Sequence, residues 1–156
     1  MTGMQLLGRE QVTLDAKHRL AMPARYRDSL QALCADQLVL TEYPDGFLLL
    51  MPEPKWQSFA AQFAAAGQGS QWLKRIILGG ACPVQLDSAK RFLLPAELRA
   101  AAGLDKQVLL LGVGEYFELW NPEDYAAQRS RQRAARLAEA AAQEPSLQMS
   151  LQEVRW

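Results

Sequence analysis

The 156-residue chain predicts a mainly β fold with helices, in the α+β class, built from two interlocked copies of one unit. Three observations point there. The stretch from Asp15 to Arg27 returns, altered, from Asp87 to Arg99, so that Asp15 matches Asp87, Arg19 matches Arg91, Pro23 matches Pro95 and Arg27 matches Arg99. The same order of elements accompanies each copy: strand, loop, strand, proline-initiated helix, hairpin. Each copy spans only about 70 residues, near the lower limit for an independent core, so the two share one interior. Four short strands cannot bury both faces alone. A two-unit β-barrel with pseudo-twofold symmetry is the arrangement this order implies.

Each element has a local reason. Gln11 to Leu14 alternates polar and apolar residues and reads as a half-buried strand. Asp15 to His18 interrupts it as a loop, and Arg19 to Met22 resumes as strand. Pro23 suits a first helical turn, where its missing N–H costs nothing. Tyr26, Leu30 and Leu33 then give that helix a narrow apolar stripe. Gln37–Glu42 and Gly46–Met51 flank Tyr43-Pro-Asp-Gly, a strong turn signal, and form a β-hairpin. Lys55 to Ala66 is helical, with Trp56, Phe59 and Phe63 as packing residues, and Gly67 to Ser70 breaks it before a short helix at Gln71–Leu78.

The second copy repeats the order from Cys82, with Gly103 expected to cap the alanine-rich helix that Pro95 opens. Its hairpin follows at an offset that drops to 70, pairing Leu38 with Val108 and Phe47 with Phe117. Asn121-Pro-Glu-Asp then starts a long helix, with acids where the helix dipole favours them. Beyond Pro145 the short tail is expected to be mobile or docked on a neighbouring subunit.

Composition removes several classes of function. Lysine plus arginine equals aspartate plus glutamate at 17 each, which excludes a globally basic nucleic-acid binder. The distribution is uneven, however: Arg9 to Asp28 holds five basic and three acidic residues, whereas Asp36 to Glu53 holds four acids and no base. One basic face is enough for a nucleic acid. No run approaches the roughly 18 apolar residues of a membrane span, and the N-terminal residues carry no secretory pattern. Cys34 and Cys82 make no CxxC pair, in keeping with a reducing cytoplasm and buried thiols. A single His, no CxxC, no phosphate-cradling glycine loop and no nucleophile elbow leave no catalytic residues, metal ligands, cofactor site or small-molecule substrate to propose.

The spacing Gly8-x6-Asp15-x-Lys17-x-Arg19-x3-Pro23-x3-Arg27, its second form Asp87-x3-Arg91-x3-Pro95-x3-Arg99, the Ala102-Gly-Leu turn and the ending Phe117-Glu-Leu-Trp120 closely resemble the bacterial MraZ family. The resemblance implies a duplicated swapped-hairpin β-barrel of AbrB/SpoVT type plus a C-terminal helix. Residues 9–55 and 81–124 would be the two AbrB/SpoVT-type repeats, 56–80 a helical connection and 125–156 the C-terminal helix and tail. It further implies a transcriptional regulator, a repressor, of the division and cell-wall gene cluster. Such a protein binds short direct repeats in promoter double-stranded DNA as a ring-like homo-oligomer, in the cytoplasm at the nucleoid. The family pattern has glycine before the arginine in both copies, whereas this chain has His18 and Lys90.

On that basis the candidate DNA-binding residues are Arg19, Lys17, His18, Asp15, Arg25, Arg27, Arg91, Lys90 and Asp87. A guanidinium at Arg19 can grip guanine O6 and N7 or clamp a phosphate; the plainer role is an Asp15–Arg19 ion pair that fixes the turn, and the two can coexist. Lys17 and His18 are placed for phosphate contact, which positions without reading sequence. Of Arg25 and Arg27, one is expected to face solvent or DNA and the other an acid. The second loop, with Lys90 and Arg91, is expected to contact DNA more weakly or to act between subunits. Arg129, Arg131, Arg133 and Arg136 read as a solvated helix face. The competing reading is an oligomeric interaction protein that has lost specific DNA binding.

Overall fold

The computed structural model describes residues 5–65, 67 and 71–142. In chain order the elements are β1 (Leu6–Thr13), β2 (Arg19–Ala21), α1 (Ala24–Cys34), β3 (Gln37–Glu42), β4 (Leu48–Pro52), α2 (Glu53–Ala64), α3 (Gln71–Ile77), β5 (Cys82–Gln85), β6 (Arg91–Leu93), α4 (Ala96–Ala101), β7 (Gln107–Gly114), β8 (Phe117–Trp120) and α5 (Pro122–Ala142). The tail beyond Pro145, and most of the expected break at Gly67–Ser70, lie outside the described residues. The chain divides between Pro122 and Glu123 into two compact units. The smaller one contains most of α5, a 21-residue helix with acids in its first turn and no buried residue.

All strand pairs are antiparallel, and they form a six-stranded sheet, β1-β7-β8-β4-β3-β5, and a two-stranded ribbon, β2-β6. The order is symmetric about its middle. β1 of the first half pairs with β7 of the second, and β5 of the second pairs with β3 of the first. The halves therefore exchange their first strands. Where the repeat suggested a closed β-barrel, the strands lie in these two sheets, and no ladder among the described residues joins them into one ring.

One core is shared. Leu14 and Leu86, Leu20 and Phe92, Met22 and Leu94, Tyr26 and Leu98, Leu38 and Val108, and Leu40 and Leu110 all belong to the same buried cluster, each pair one residue from each half. Such positions at roughly 2 kcal/mol apiece are what fuse two otherwise marginal halves. The Tyr26 ring meets Phe117 edge-on at 4.9 Å, and its hydroxyl donates to the Leu7 carbonyl at 2.6 Å, so its polar end is satisfied on entry to the core.

Register refines the repeat. β4 and β8 pair as Leu48 with Leu119 and Leu50 with Phe117, about a pseudo-twofold axis. Leu40 lies opposite Leu50 in the first hairpin and its equivalent Leu110 lies opposite Leu119 in the second, which equates Phe117 with Leu48, not with Phe47 as the offset of 70 implied. Phe47 instead stacks on Trp120 at 4.4 Å and on Tyr43 at 5.0 Å. The cause is the turns: the first hairpin needs Tyr43–Phe47, with Gly46 at φ 94°, while the second closes through Glu115 and Tyr116. Other boundaries shift less. β1 begins at Leu6, and Pro23 and Pro95 sit one residue before their helices, at φ −54° and −59°. Gly103, at φ 62°, ends α4 as expected, with its own N–H on Ala100 and the Leu104 N–H on Arg99.

Candidate nucleic-acid interface

The two Asp-x-x-x-Arg loops have the same internal wiring. Asp15 Oδ1 accepts from the backbone N–H groups of Lys17 and Arg19, both at 2.9 Å, and Oδ2 accepts from Arg19 Nε at 2.7 Å. Asp87 accepts in the same way from Ala89 and Arg91, with Nε at 3.2 Å. One carboxylate thus folds a turn and aims an arginine. The contact uses Nε, so the Nη edge of Arg19 has no partner among the described residues. The Arg19 backbone N–H, with the Arg19 side chain and the Lys17 N–H, holds the Asp15 carboxyl below its usual range; the Arg91 N–H leads the same effect at Asp87.

The residue before each arginine is left-handed: His18 at φ 61° and Lys90 at φ 62°. That backbone lets each loop tip reach the other half. The His18 carbonyl accepts from Leu94 N–H at 3.0 Å, and the Lys90 carbonyl accepts from Met22 N–H at 2.8 Å. Loop conformation and strand exchange therefore support each other, and this is what holds two strained residues in place.

β2 and β6 join the loops into one surface. Leu20 faces Phe92 at the centre of the ribbon and both point into the core. The alternate residues, Arg19 and Ala21 on one strand and Arg91 and Leu93 on the other, point away from it. Arg19 lies opposite Leu93 and Arg91 opposite Ala21, so the two arginines occupy diagonal corners. Leu93 is 56% exposed between them. The exposed, apolar character of Leu93 here was not anticipated from the sequence; the period-two pattern of Arg-Phe-Leu gave the only hint.

The remaining candidates divide by what they touch. Lys17 is exposed and His18 half-buried, and neither side chain has a partner among the described residues. Arg25 pairs with Glu10 at 3.2 Å and lies over the Tyr26 ring at 4.7 Å. Gly8 makes room for it: at φ 105°, a β-carbon there would lie 2.6 Å from Arg25 Nη2. Arg27 donates through Nε to the Met22 carbonyl at 2.9 Å, and Arg99 copies this on Leu94 at 3.0 Å. Arg25 is thus the one facing an acid, and Arg27 clasps backbone. Lys90 reaches Asp36 at 2.6 Å, a partner 54 residues away that sequence reading missed.

Elsewhere the described residues offer little chemistry. No group of three or more His, Cys, Asp or Glu could hold a metal ion among them. A cleft of about 440 Å³ is lined by Leu33, Pro52, Pro54, Lys55, Ser58 and Glu115, and its two charges close on each other at 2.7 Å. Both cysteines are half-buried rather than buried, and burial raises the Cys34 thiol pKa. No helix of the described residues is long and apolar enough to cross a membrane.

The fold and loops define an internally duplicated α+β protein that presents matched arginine turns on one ribbon. The family described as "MraZ protein, putative antitoxin-like" matches residues 6–71 and 77–145. Proteins named transcriptional regulator MraZ from Burkholderia mallei (strain SAVP1), Burkholderia pseudomallei (strain 668) and Burkholderia vietnamiensis (strain G4 / LMG 22486) are each 47% identical over 133 residues, 85% of this chain and 94% of the relative. The chain belongs to the MraZ family.

Proposed function

We propose that this chain is a DNA-binding transcription regulator that grips double-stranded DNA through the β2–β6 ribbon and its flanking loops. The observation that carries the reading is the outward pair of arginines, Arg19 and Arg91, each oriented by its own aspartate. A two-stranded ribbon fits the major groove of B-DNA, where arginine pairs in bidentate fashion with guanine. A net charge of zero requires that attraction be local, and a ribbon with two oriented guanidiniums is local. Relatives named transcriptional regulators support the same reading.

In this proposal Arg19 reads a base or clamps a phosphate while Lys17 and His18 contact phosphate. Asp15 and Asp87 orient their arginines, Arg91 makes the weaker contact, and Arg25 and Arg27 brace the loop that presents Arg19. The exchanged strands, β1 on β7 and β5 on β3, are read as the swapped hairpins of two AbrB/SpoVT-type repeats at residues 9–55 and 81–124. One ribbon supplies few contacts, so useful affinity requires linked copies, which gain through effective concentration. The protein then works as a ring-like homo-oligomer on short direct repeats upstream of the division and cell-wall gene cluster, as a repressor, at the nucleoid in the cytoplasm. It requires no metal, cofactor, membrane or small-molecule substrate.

The test is a gel shift on the DNA upstream of the organism's own division cluster, comparing wild type with Arg19→Ala. A shift by wild type at low salt and at least a tenfold weaker one by Arg19→Ala is expected, since one bidentate contact contributes about 1–3 kcal/mol. Absence of any wild-type shift would remove the regulator reading. Equal shifts would remove Arg19 from its role.

A further inference from the structure

The two loops are alike in backbone and unlike at their tips. His18 and Lys90 occupy equivalent, left-handed positions, yet among the described residues only the Lys90 side chain is tied down. Its Nζ lies 2.6 Å from Asp36 Oδ2, with the lysine side chain 29% and the aspartate side chain 10% exposed. Asp36 belongs to the first half, in the turn after α1, and is itself left-handed at φ 63°. It holds the second loop at two points, because its carbonyl also accepts from the Leu86 N–H at 3.0 Å, just before Asp87.

Beneath the first loop the equivalent carbonyl belongs to Lys106, which accepts from the Leu14 N–H at 2.7 Å. A lysine there supplies no carboxylate to the first tip, and the His18 side chain has no partner among the described residues. The second loop also lacks the first one's other tip cation, having Ala89 in place of Lys17. Freeing Lys90 would leave the buried Asp36 carboxylate without its counter-charge, and Asp36 Oδ1 already has no hydrogen-bond partner among the described residues. An uncompensated buried charge is strongly destabilising.

We propose that Lys90 is a positioning residue, engaged by Asp36 and withdrawn from DNA, which makes the two loops of one chain unequal. The first loop grips phosphate with Lys17 and His18 beside Arg19. The second offers Arg91 alone, on a turn pinned to the opposite half. This rests on the DNA-binding reading for its second part; the pinning of the loop does not.

The experiment uses the full chain: thermal unfolding and DNA titration over a range of salt for wild type, Lys90→Met, Asp36→Asn, the Lys90→Met/Asp36→Asn double variant, Lys17→Met, and Arg91→Ala with and without Lys90→Met. Lys90→Met should lower Tm by several degrees, and most of that loss should vanish when Asp36 is Asn. It should leave the slope of log affinity against log salt as in wild type, whereas Lys17→Met should flatten it by about 0.9 per engaged loop. Lys90→Met should weaken DNA binding when Arg91 is present and have no further effect in an Arg91→Ala background. Additive Tm losses would overturn the pinning. A slope flattened by Lys90→Met as much as by Lys17→Met would overturn its withdrawal from DNA. If wild type binds no DNA at low salt, the regulator reading fails, and the Tm coupling alone decides whether the second loop is pinned.

Discussion

Asp15 and Asp87 each turn a short sequence into a presentable arginine, and their ionisation state is the loop's fastening. Both carboxyls are held below their ordinary range, first by the backbone N–H of the arginine they orient. A lowered folded value means that the contribution is present above the unfolded value of about 3.9 and is lost as pH falls through the folded value. The Lys17 and Arg19 amide resonances should therefore hold steady from about pH 8 to 5 and move only below about pH 4. Movement between about pH 8 and 5 would show that these carboxylates are not the fastening. The tips make a second prediction. A left-handed residue with a β-carbon costs about 1–2 kcal/mol, and glycine gives back part of that relief through unfolded-chain entropy of about 0.4–1 kcal/mol. His18→Gly should then stabilise the chain by about 0.5–1 kcal/mol in denaturant unfolding.

Strand exchange makes Gly112 indispensable at the level of elements. β1 crosses β7 so closely at Leu6 and Leu7 that a β-carbon on Gly112 would lie 2.7 Å from the Leu6 carbonyl oxygen. Backbone cannot yield as a side-chain tip can, so Gly112→Ala should cost about 1–3 kcal/mol, as overpacking does, read as a lowered denaturation midpoint with an unchanged slope. Much of this level was legible. The Pro-Asp-Gly turn, the proline-led helices and the capping glycine at Gly103 are local signals, and local signals survive in one dimension. The length of β1 was not legible, because Leu7-Gly-Arg-Glu has no apolar alternation; its partner β7 supplies the order that its own residues do not. The one-residue shift that equates Phe117 with Leu48 was hidden for the same reason, since it is set by the unequal turns of two hairpins.

The larger unit, which ends at Pro122, is a pseudo-symmetric body whose two loop tips differ. The repeat of Asp15, Arg19, Pro23 and Arg27 predicted the shared core and the matched loops. It could not show the Lys90–Asp36 contact, which joins residues 54 apart in sequence and depends on the exchanged topology. Nor could it separate Arg25, braced by Glu10 and Tyr26, from Arg19, whose Nη edge has no partner among the described residues. Folding decides which of the charges named from the sequence already have partners within the described residues. Those left open in the first loop should make binding steeply salt-dependent, because each phosphate contact releases counterions. The decisive measurement is the ratio of affinities for the promoter repeats and for scrambled DNA of equal length, at one fixed salt concentration, for wild type and Arg19→Ala. Wild type should prefer the repeats by at least a hundredfold, and Arg19→Ala should lose at least tenfold of that preference. An unchanged ratio would contradict the assignment of sequence reading to the β2–β6 ribbon.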